Sequence, residues 1–464
     1  MTSTVTLSVP TTRLEKSQHV FRSTEFADGC LPVENPTKSL WIDSPNANPL
    51  AKEGSTGFLP TTADICIIGS GITGVSVAYH LATRSIEKKL PKVVILEARD
   101  FCSGATGRNG GHLTPNPFIN FSNTKARYGQ QEALKALDLE SHTAKATLDF
   151  ISSQNIADEV DLVAGGHITM FVTGEEFLHA KEDYDAVRAA GVDLPNVEWL
   201  SKEEMLSIYG VPFPGARYGG HNLWLLKLVT HLYNFAKAKL SLSVHTFNTT
   251  RGSISCSYIV HATNAYASHL LPHLRGPSGI VPTRGQVVTV RASVPVEKFR
   301  GRPSWDANDG FEYWFPRPVT STHEHPLVVL GGGREVESRF EHGEIDDSRC
   351  NEVVGKILRE FLPGLFPGKF EARKQPEMEW TGIMGFTESM DPFVGPVDGY
   401  DVSSIEHSNY KGQFIAAGYS GHGMPRAYAC AEVVASMIIA DLQGERWTAP
   451  NWLPHHYLTS SLVD

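Results

Sequence analysis

Apolar positions along this chain follow two periods. The runs Ile65-Cys-Ile-Ile68 and Val93-Val-Ile-Leu96 are short and unbroken, the pattern of strands covered on both faces in a parallel sheet. Helical spacing predicts a helix over about Val75–Ala82 between them, and further helices over Thr124–Ile151, 175–191, Lys227–Lys239, Glu352–Phe361 and Ala427–Leu442. Ser201-Lys-Glu-Glu204 opens another with a hydroxyl and a carboxylate three residues apart, able to satisfy each other's backbone amides. Strands are predicted at Val160–Val172, interrupted by Gly165-Gly166, and at Gln286–Val290, Glu312–Phe315, Leu327–Leu330 and Phe414–Ala417. Residues 1–60 are rich in Ser, Thr, Pro and Asn, with Leu40 and Trp41 as the evident anchors, and read as an arm draped over the body. The order of elements predicts an α/β unit visited three times (61–115, 216–284 and 376–464) and an α+β unit, with a mixed sheet and covering helices, built from two excursions (116–215 and 285–375).

The link between the first two strands is Gly69-Ser-Gly-Ile-Thr-Gly74, and the second strand closes on Glu97. In a strand–turn–helix of this kind the first glycine permits the turn, the second lets backbone approach a pyrophosphate, and the third lets helix sit on strand. The amides of the helix start and the helix dipole favour the diphosphate charge. Glu97 lies 28 positions after Gly69, and the polar insertion Thr83–Lys92 accounts for the long spacing. Its carboxylate is placed to bind ribose hydroxyls. After it comes Ala98-Arg-Asp-Phe-Cys-Ser-Gly-Ala-Thr-Gly-Arg-Asn-Gly-Gly-His112, a backbone-exposing segment suited to an extended planar cofactor rather than to the helix of a nicotinamide domain. A second strand-to-glycine-loop, Phe414-Ile-Ala-Ala-Gly-Tyr-Ser-Gly-His-Gly-Met424, leads into the last predicted helix. That helix start could stabilise the negative charge of a reduced flavin.

Taken together, these segments resemble the D-amino-acid-oxidase-like superfamily of FAD-dependent amine oxidoreductases, which includes glycine and sarcosine oxidases and gamma-glutamylputrescine oxidoreductase. The resemblance runs from about Leu40 onward and takes in Val260-His-Ala-Thr-Asn-Ala-Tyr266, Pro282-Thr-Arg-Gly-Gln286, Tyr313-Trp-Phe-Pro-Arg317 and Leu330-Gly-Gly-Gly-Arg334. It implies a Rossmann-like FAD-binding domain with a discontinuous mixed-sheet substrate domain. FAD would then lie against Gly69, Ser70, Gly71, Ile72, Thr73 and Gly74; against Glu97, Ala98 and Arg99; and against Ser103, Gly104, Ala105, Thr106, Asn109, Gly110 and Gly111. It would also meet Ala262, Thr263 and Asn264, and the loop Gly418, Tyr419, Ser420, Gly421, His422, Gly423 and Met424.

The implied reaction is oxidation of a C–N bond in a small amine or amino-acid-like substrate, with hydride passing to flavin N5 and O2 as the first-choice acceptor. An alkylammonium, with a pKa near 10.4 by analogy with lysine, must lose a proton first. His112, at the end of the glycine segment, is the candidate for proton handling; hydrogen bonding to flavin or backbone is its competing role. Tyr313 and Trp314 are candidates for an aromatic wall, with core packing as the alternative, and Tyr419 for the opposite side of the pocket. Arg317 is a candidate for binding a substrate carboxylate.

Three departures from the family pattern narrow the expectation. Sarcosine oxidases attach FAD to a cysteine just before a Thr-x-x-x-Asp-Pro segment; here Met384 stands about there, so FAD is expected to be non-covalent. Their lysine after the Gly-His-Gly loop is absent from Met424-Pro-Arg426, which disfavours α-amino acids unless Arg426 compensates. The region 244–252 is short by about one strand with its turns, roughly 15–20 residues where a strand takes ~5–6. Two alternatives therefore stay open. One is an FAD-dependent dehydrogenase or tailoring enzyme of secondary metabolism with a non-oxygen acceptor; the other is a flavoprotein impaired by the shortened region.

Composition alters this little. At 464 residues, with 41% hydrophobic and 20% charged positions, the chain supports two or three globular units. A net charge of −10 without a Lys/Arg run excludes a nucleic-acid binder. No metal-ligand spacing appears among the six cysteines, and Cys66 and Cys430 read as buried thiols. No run approaches the roughly 18 apolar residues of a membrane span, no signal peptide is evident, and Ser461-Leu-Val-Asp464 is not a peroxisomal address, so a cytoplasmic location is expected.

Overall fold

The structure is a computed structural model that describes residues 5, 7–23, 29–84, 90–246, 251–299, 303–397 and 410–459. Its first sheet has six strands, in the order Phe393–Pro396, Gln413–Ala417, Tyr258–His261, Ile65–Ile68, Lys92–Glu97 and Ser241–Thr246. All neighbours are parallel except the first pair. Ile65, Ile67, Val93, Val94 and Ile95 are fully buried, which is why these strands carry no polar alternation. The helices Ile72–Arg84, Leu225–Lys239 and Ala427–Gln443 pack beside one another. Alanines at 427, 429, 431 and 435 keep the last helix slim enough to lie close to its neighbours.

The second sheet has eight strands, in the order Met378–Phe386, Val281–Arg291, Leu327–Gly331, Glu312–Pro316, Ser304–Ala307, His167–Met170, Gly215–Tyr218 and Glu198–Leu200. Only Ser304–Ala307 with His167–Met170 is parallel. Side chains alternate across it. Val288, Trp305, Trp314, Val328 and Leu330 form one core with the helix Glu352–Leu365, whereas Val287, Phe315, Val329 and Trp380 join the core of the first sheet. Three strands at the expected boundaries belong to this sheet rather than to the first: Gly215–Tyr218, Val281–Arg291 and Met378–Phe386.

Several elements differ from the periodicity reading. The helix expected over Thr124–Ile151 is two helices, Phe121–Tyr128 and Gln130–Gln154, broken where Gly129 takes φ 89°. Of the strand expected over Val160–Val172 only His167–Met170 forms, because Asp161 and Gly166 take left-handed backbone upstream. The capping box expected at Ser201/Glu204 forms, and a second, not foreseen, stands at Thr173/Glu176. The short region at 244–252 falls partly outside the described residues, at 247–250. Among the described residues no helix is long and apolar enough to cross a membrane.

The arm is anchored at more points than Leu40 and Trp41. Phe21, on the helix Leu14–Ser23, is buried with Val281 and Phe386, and Ser17 hydrogen-bonds His342 at 3.0 Å. Trp41 is 1% exposed, edge-on to Trp224 and stacked on Phe315.

Candidate active site

The first glycine turn closes where the amide of Gly69 donates to the Leu96 carbonyl, 2.8 Å away. Gly69 has φ 111°, and a Cβ there would come within 2.5 Å of the Ala262 carbonyl oxygen. A Cβ on Gly74 would fall on the Gly69 carbonyl oxygen itself. Gly71 faces Thr106, whose hydroxyl accepts the Ile72 amide at 3.1 Å and so caps the helix start. Glu97 ends its strand beside this turn. One carboxylate oxygen accepts from the Ser70 amide (3.0 Å) and hydroxyl (2.6 Å), the other from the amides of Ala98 (2.8 Å) and Arg99 (3.1 Å).

The glycine-rich segment after Glu97 is pinned by buried ion pairs. Arg99 turns its guanidinium away to Asp347, at 3.0 Å, so among the expected cofactor contacts it offers backbone only. Arg108 donates to the carbonyls of Ser103 and Thr381. Asn109 accepts from Gly111 N–H, and the Trp41 indole donates to the Asn109 carbonyl at 2.6 Å, tying the arm to this loop. Gly104 and Ala105 lead into a single 3-10 turn. The strand-end residues Ala262, Thr263 and Asn264 follow the turn from the other side: Ala262 N–H bonds the Ile68 carbonyl, and Asn264 Oδ1 accepts the Gly418 amide at 3.0 Å.

In the late loop Gly418, Ser420 and Gly421 all have positive φ. The Ser420 amide bonds the Gly385 carbonyl, and its hydroxyl accepts the Thr387 amide. Gly423 packs on Tyr419, and Met424 shares a small apolar cavity with Ile72 and Leu113. The two turns meet: Thr73 Oγ1 and the Tyr419 hydroxyl are 3.0 Å apart. Tyr419 is therefore a buried clasp between them rather than a pocket wall, and burial raises its phenol well above the usual range. The hydroxyls of Ser103 and Thr263 are buried without a partner. Orphaned donors beside a strand-end carboxylate and two glycine turns fit a dinucleotide cofactor.

Above these turns lies the inward face of the eight-stranded sheet, where Tyr313 pairs in register with Asp306 and with Gly331. The Tyr313 ring occupies the space that a Cβ on Gly110 or on Gly331 would need. Burial pushes its phenol up to about 12, against the opposing pull of Arg334. His112 packs edge-on to Tyr313 and Phe315. The Gly110 carbonyl, 2.8 Å from its Nδ1, can only accept, so that nitrogen carries the proton. Burial, helped by His167, pulls the His112 imidazole down to about 4, which leaves it neutral.

Three expected substrate residues point elsewhere. Trp314 is the neighbour of Tyr313 on one strand and so faces the opposite side, fully buried and stacked on Trp305. Arg317 lies over Trp41 and Trp224 and donates to Asp161 at 2.7 Å. Arg426 is held by Glu140 at 2.9 Å and Asp391 at 3.5 Å.

Sequence reasoning missed the acids that organise these cations. Glu140, 3% exposed, accepts from the Asn116 amide (2.8 Å), Arg426 Nε (2.9 Å) and His422 Nε2 (3.0 Å). Burial opposes its charge, but His422 and Arg426 outweigh that and hold it down at about 2. Asp306 pairs with the buried His167 at 3.2 Å. Tyr218, bonded to Thr169, has its phenol raised by burial and then by Asp306 and Glu140. Asp347 is missed likewise. Only their position along helices or strands is legible in sequence, not the partners they reach.

Comparison with known proteins agrees with this geometry. The family model described as FAD dependent oxidoreductase (DAO) matches residues 64–437. Gamma-glutamylputrescine oxidoreductase of Escherichia coli (strain K12) is 25% identical over 423 residues, covering 85% of this chain and 87% of its own. Glycine oxidase of Geobacillus kaustophilus is 23% identical over 415 residues, covering 84% of this chain and 95% of its own. The crystal structure of glycine oxidase from Geobacillus kaustophilus superposes with a TM-score of 0.62 at 20% identity, covering 87% of this chain and 100% of that one. The chain belongs to the DAO family of FAD-dependent oxidoreductases, enzymes of amine and amino-acid oxidase type.

Proposed function

We propose that this protein oxidises a C–N bond of a small amine or amino-acid-like substrate, using non-covalently held FAD and O2 as the electron acceptor. The observation that carries the reading is the meeting of the two glycine turns through Thr73 and Tyr419 beneath the Tyr313 face of the second sheet. Bound FAD supplies the two-electron acceptor for the substrate's Cα hydride. Gly69–Gly74 and Glu97 would hold its pyrophosphate and ribose, and Gly418–Met424 would border its ring. Tyr313, wedged between Gly110 and Gly331, offers an aromatic surface to an amine and helps to exclude water. His112, uncharged, contributes a fixed polar edge rather than a positive charge that would repel an ammonium group. Non-covalent attachment is supported by Met384, whose sulfur is near Gly421 and, being a thioether already, cannot form the bond.

The test is anaerobic mixing of the purified yellow protein with a panel of amines and amino acids. Bleaching by a member of the panel, reversed on admitting air, is expected; bleaching by none of them overturns the reading. Acid denaturation should release FAD into the supernatant.

Glu97→Ala removes an acceptor of charge-assisted hydrogen bonds worth about 1.5–3 kcal/mol, so FAD should bind about 10- to 100-fold more weakly. Part of that loss would come from the Ser70 amide and hydroxyl that Glu97 braces. Glu97→Gln, which keeps one acceptor oxygen, should lose less. Full FAD occupancy of Glu97→Ala after dialysis would show that the carboxylate does not hold the cofactor.

A further inference from the structure

We propose that His422 takes the proton from the substrate's ammonium nitrogen, held in position for this by the buried carboxylate of Glu140. This rests on the amine-oxidising reading above. The two side chains meet at 3.0 Å but differ in exposure: Glu140 is 3% exposed and His422 is 42% exposed. Nε2 therefore faces a fixed acceptor inside the protein while the rest of the ring remains accessible. Glu140 is itself immobilised, on the 25-residue helix Gln130–Gln154, by the Asn116 amide and the Arg426 guanidinium. A histidine whose one nitrogen is bound by an immobile carboxylate has a defined tautomer. The Nε2–H donates inward and Nδ1 presents its lone pair outward.

The location suits the task. His422 sits between Gly421 and Gly423, and Gly421 packs toward Met384 and Phe386 at the edge of the inward sheet face. Tyr218 lies on that same face, paired in register with His167. The dyad thus stands on the late glycine loop, one residue from the point where that loop packs on the sheet.

Two other histidines compete for the role and lose it on geometry. His112 has its Nδ1–H committed to Gly110, and its low proton affinity makes it a weak partner for an ammonium. His167 is 4% exposed, with one nitrogen on Ser304 and the other on Asp306.

The step balances without an oxidant. An N–H bond of the ammonium breaks, its electron pair stays on the substrate nitrogen, and a new N–H bond forms at His422 Nδ1. The imidazolium so formed is neutralised by Glu140. Other groups around the dyad are Arg426, Asp391 beyond it, and the phenols of Tyr218 and Tyr457, both kept neutral by burial.

The experiment uses oxidised holoprotein and the member of a panel (putrescine, benzylamine, sarcosine, glycine and L-proline) that bleaches the flavin fastest. His422→Asn and His422→Gln should stay yellow but be reduced about 10²- to 10⁴-fold more slowly, the range for losing a general base. Added imidazole should restore part of the rate. Glu140→Gln should slow reduction about tenfold with little change in the amine concentration that gives half the limiting rate, since the ring loses its fixed orientation while the amine keeps its own contacts.

A second readout needs no turnover. In protein labelled with ¹⁵N-histidine, the ring signal absent from His422→Asn should show the tautomer with its hydrogen on Nε2, and Glu140→Gln should mix the two tautomers. If both His422 variants purify without FAD, that tautomer signal and the Glu140→Gln rate decide. His422 variants reduced as fast as the wild type, or a tautomer pattern unchanged by Glu140→Gln, overturn the proposal while leaving the flavin reading intact. A wild type that purifies colourless and takes up no FAD overturns both.

Discussion

Gly74→Ala is expected to yield a protein that holds no FAD through gel filtration and unfolds at markedly lower denaturant than the wild type. The added Cβ would come within 2.0 Å of the Gly69 carbonyl oxygen and press on the Ile67 side chain at 3.1 Å. Both belong to the strand and turn that the helix Ile72–Arg84 follows, so no flexible side chain can swing aside. The helix would have to lift from the sheet, taking with it the Ile72 amide capped by Thr106 and the Thr73 hydroxyl that meets Tyr419. Overpacking in a close-packed core costs about 1–3 kcal/mol, and here the displaced element is the one that lines the cofactor. Gly71→Ala gives the graded control. Its Cβ would lie 2.9 Å from Thr106 Oγ1, the end of a side chain that can rotate, so partial FAD retention is expected. Gly174→Ala gives the neutral one, because nothing lies within 4 Å of its Cβ and it opens the helix Gly174–Ala189, outside the expected cofactor contacts. A Gly74→Ala protein as yellow and as stable as Gly174→Ala would show that the helix does not depend on that contact.

The contrast among these glycines shows which parts of the molecule were legible in the chain. The strand–turn–helix–strand from Ile65 to Glu97 was readable because each step is local. An apolar run, three glycines at fixed offsets and a terminal acid specify their own geometry. The late loop Gly418–Met424 was readable for the same reason, and its meeting with the first turn followed from the family resemblance rather than from spacing. Non-local chemistry was not readable. Glu140 lies mid-helix between Leu139 and Ser141, and nothing in its sequence neighbourhood says that it reaches His422 and Arg426, 282 and 286 positions away. Asp347 and Arg99 are separated by 248 positions. That Arg317 and Arg426 each already pair with an acid was not readable either, because a basic side chain in a motif carries no sign of the acid that holds it. The break at Gly129 escaped because a helix is periodic on both sides of it, and only the backbone angle shows the turn.

Trp314 and Tyr313 give the sharpest test of what periodicity does determine, since adjacent strand residues cannot share a face. Trp314→Ala is expected to destabilise the protein by about 3–5 kcal/mol, the usual loss for a fully buried tryptophan. Its ring stacks on Trp305 at 5.5 Å between centroids and meets Phe361 edge-on at 5.4 Å, so truncation opens a hole that helix Glu352–Leu365 cannot readily fill. Trp314→Phe should be much milder, because the indole N–H has no hydrogen-bond partner to lose. The folded fraction of either variant should still bind FAD and be reduced at nearly the wild-type rate. Tyr313→Phe should show the reverse pattern: unfolding close to wild type, since the ring still fills the space between Gly110 and Gly331, but an altered rate or amine preference. Denaturant unfolding followed by tryptophan fluorescence, paired with anaerobic reduction per mole of bound flavin, separates the two effects. Should Trp314→Ala slow reduction while leaving stability untouched, the register that pairs Trp314 with Trp305 and Leu330 would be wrong by one residue, and Tyr313 would belong to the core in its place.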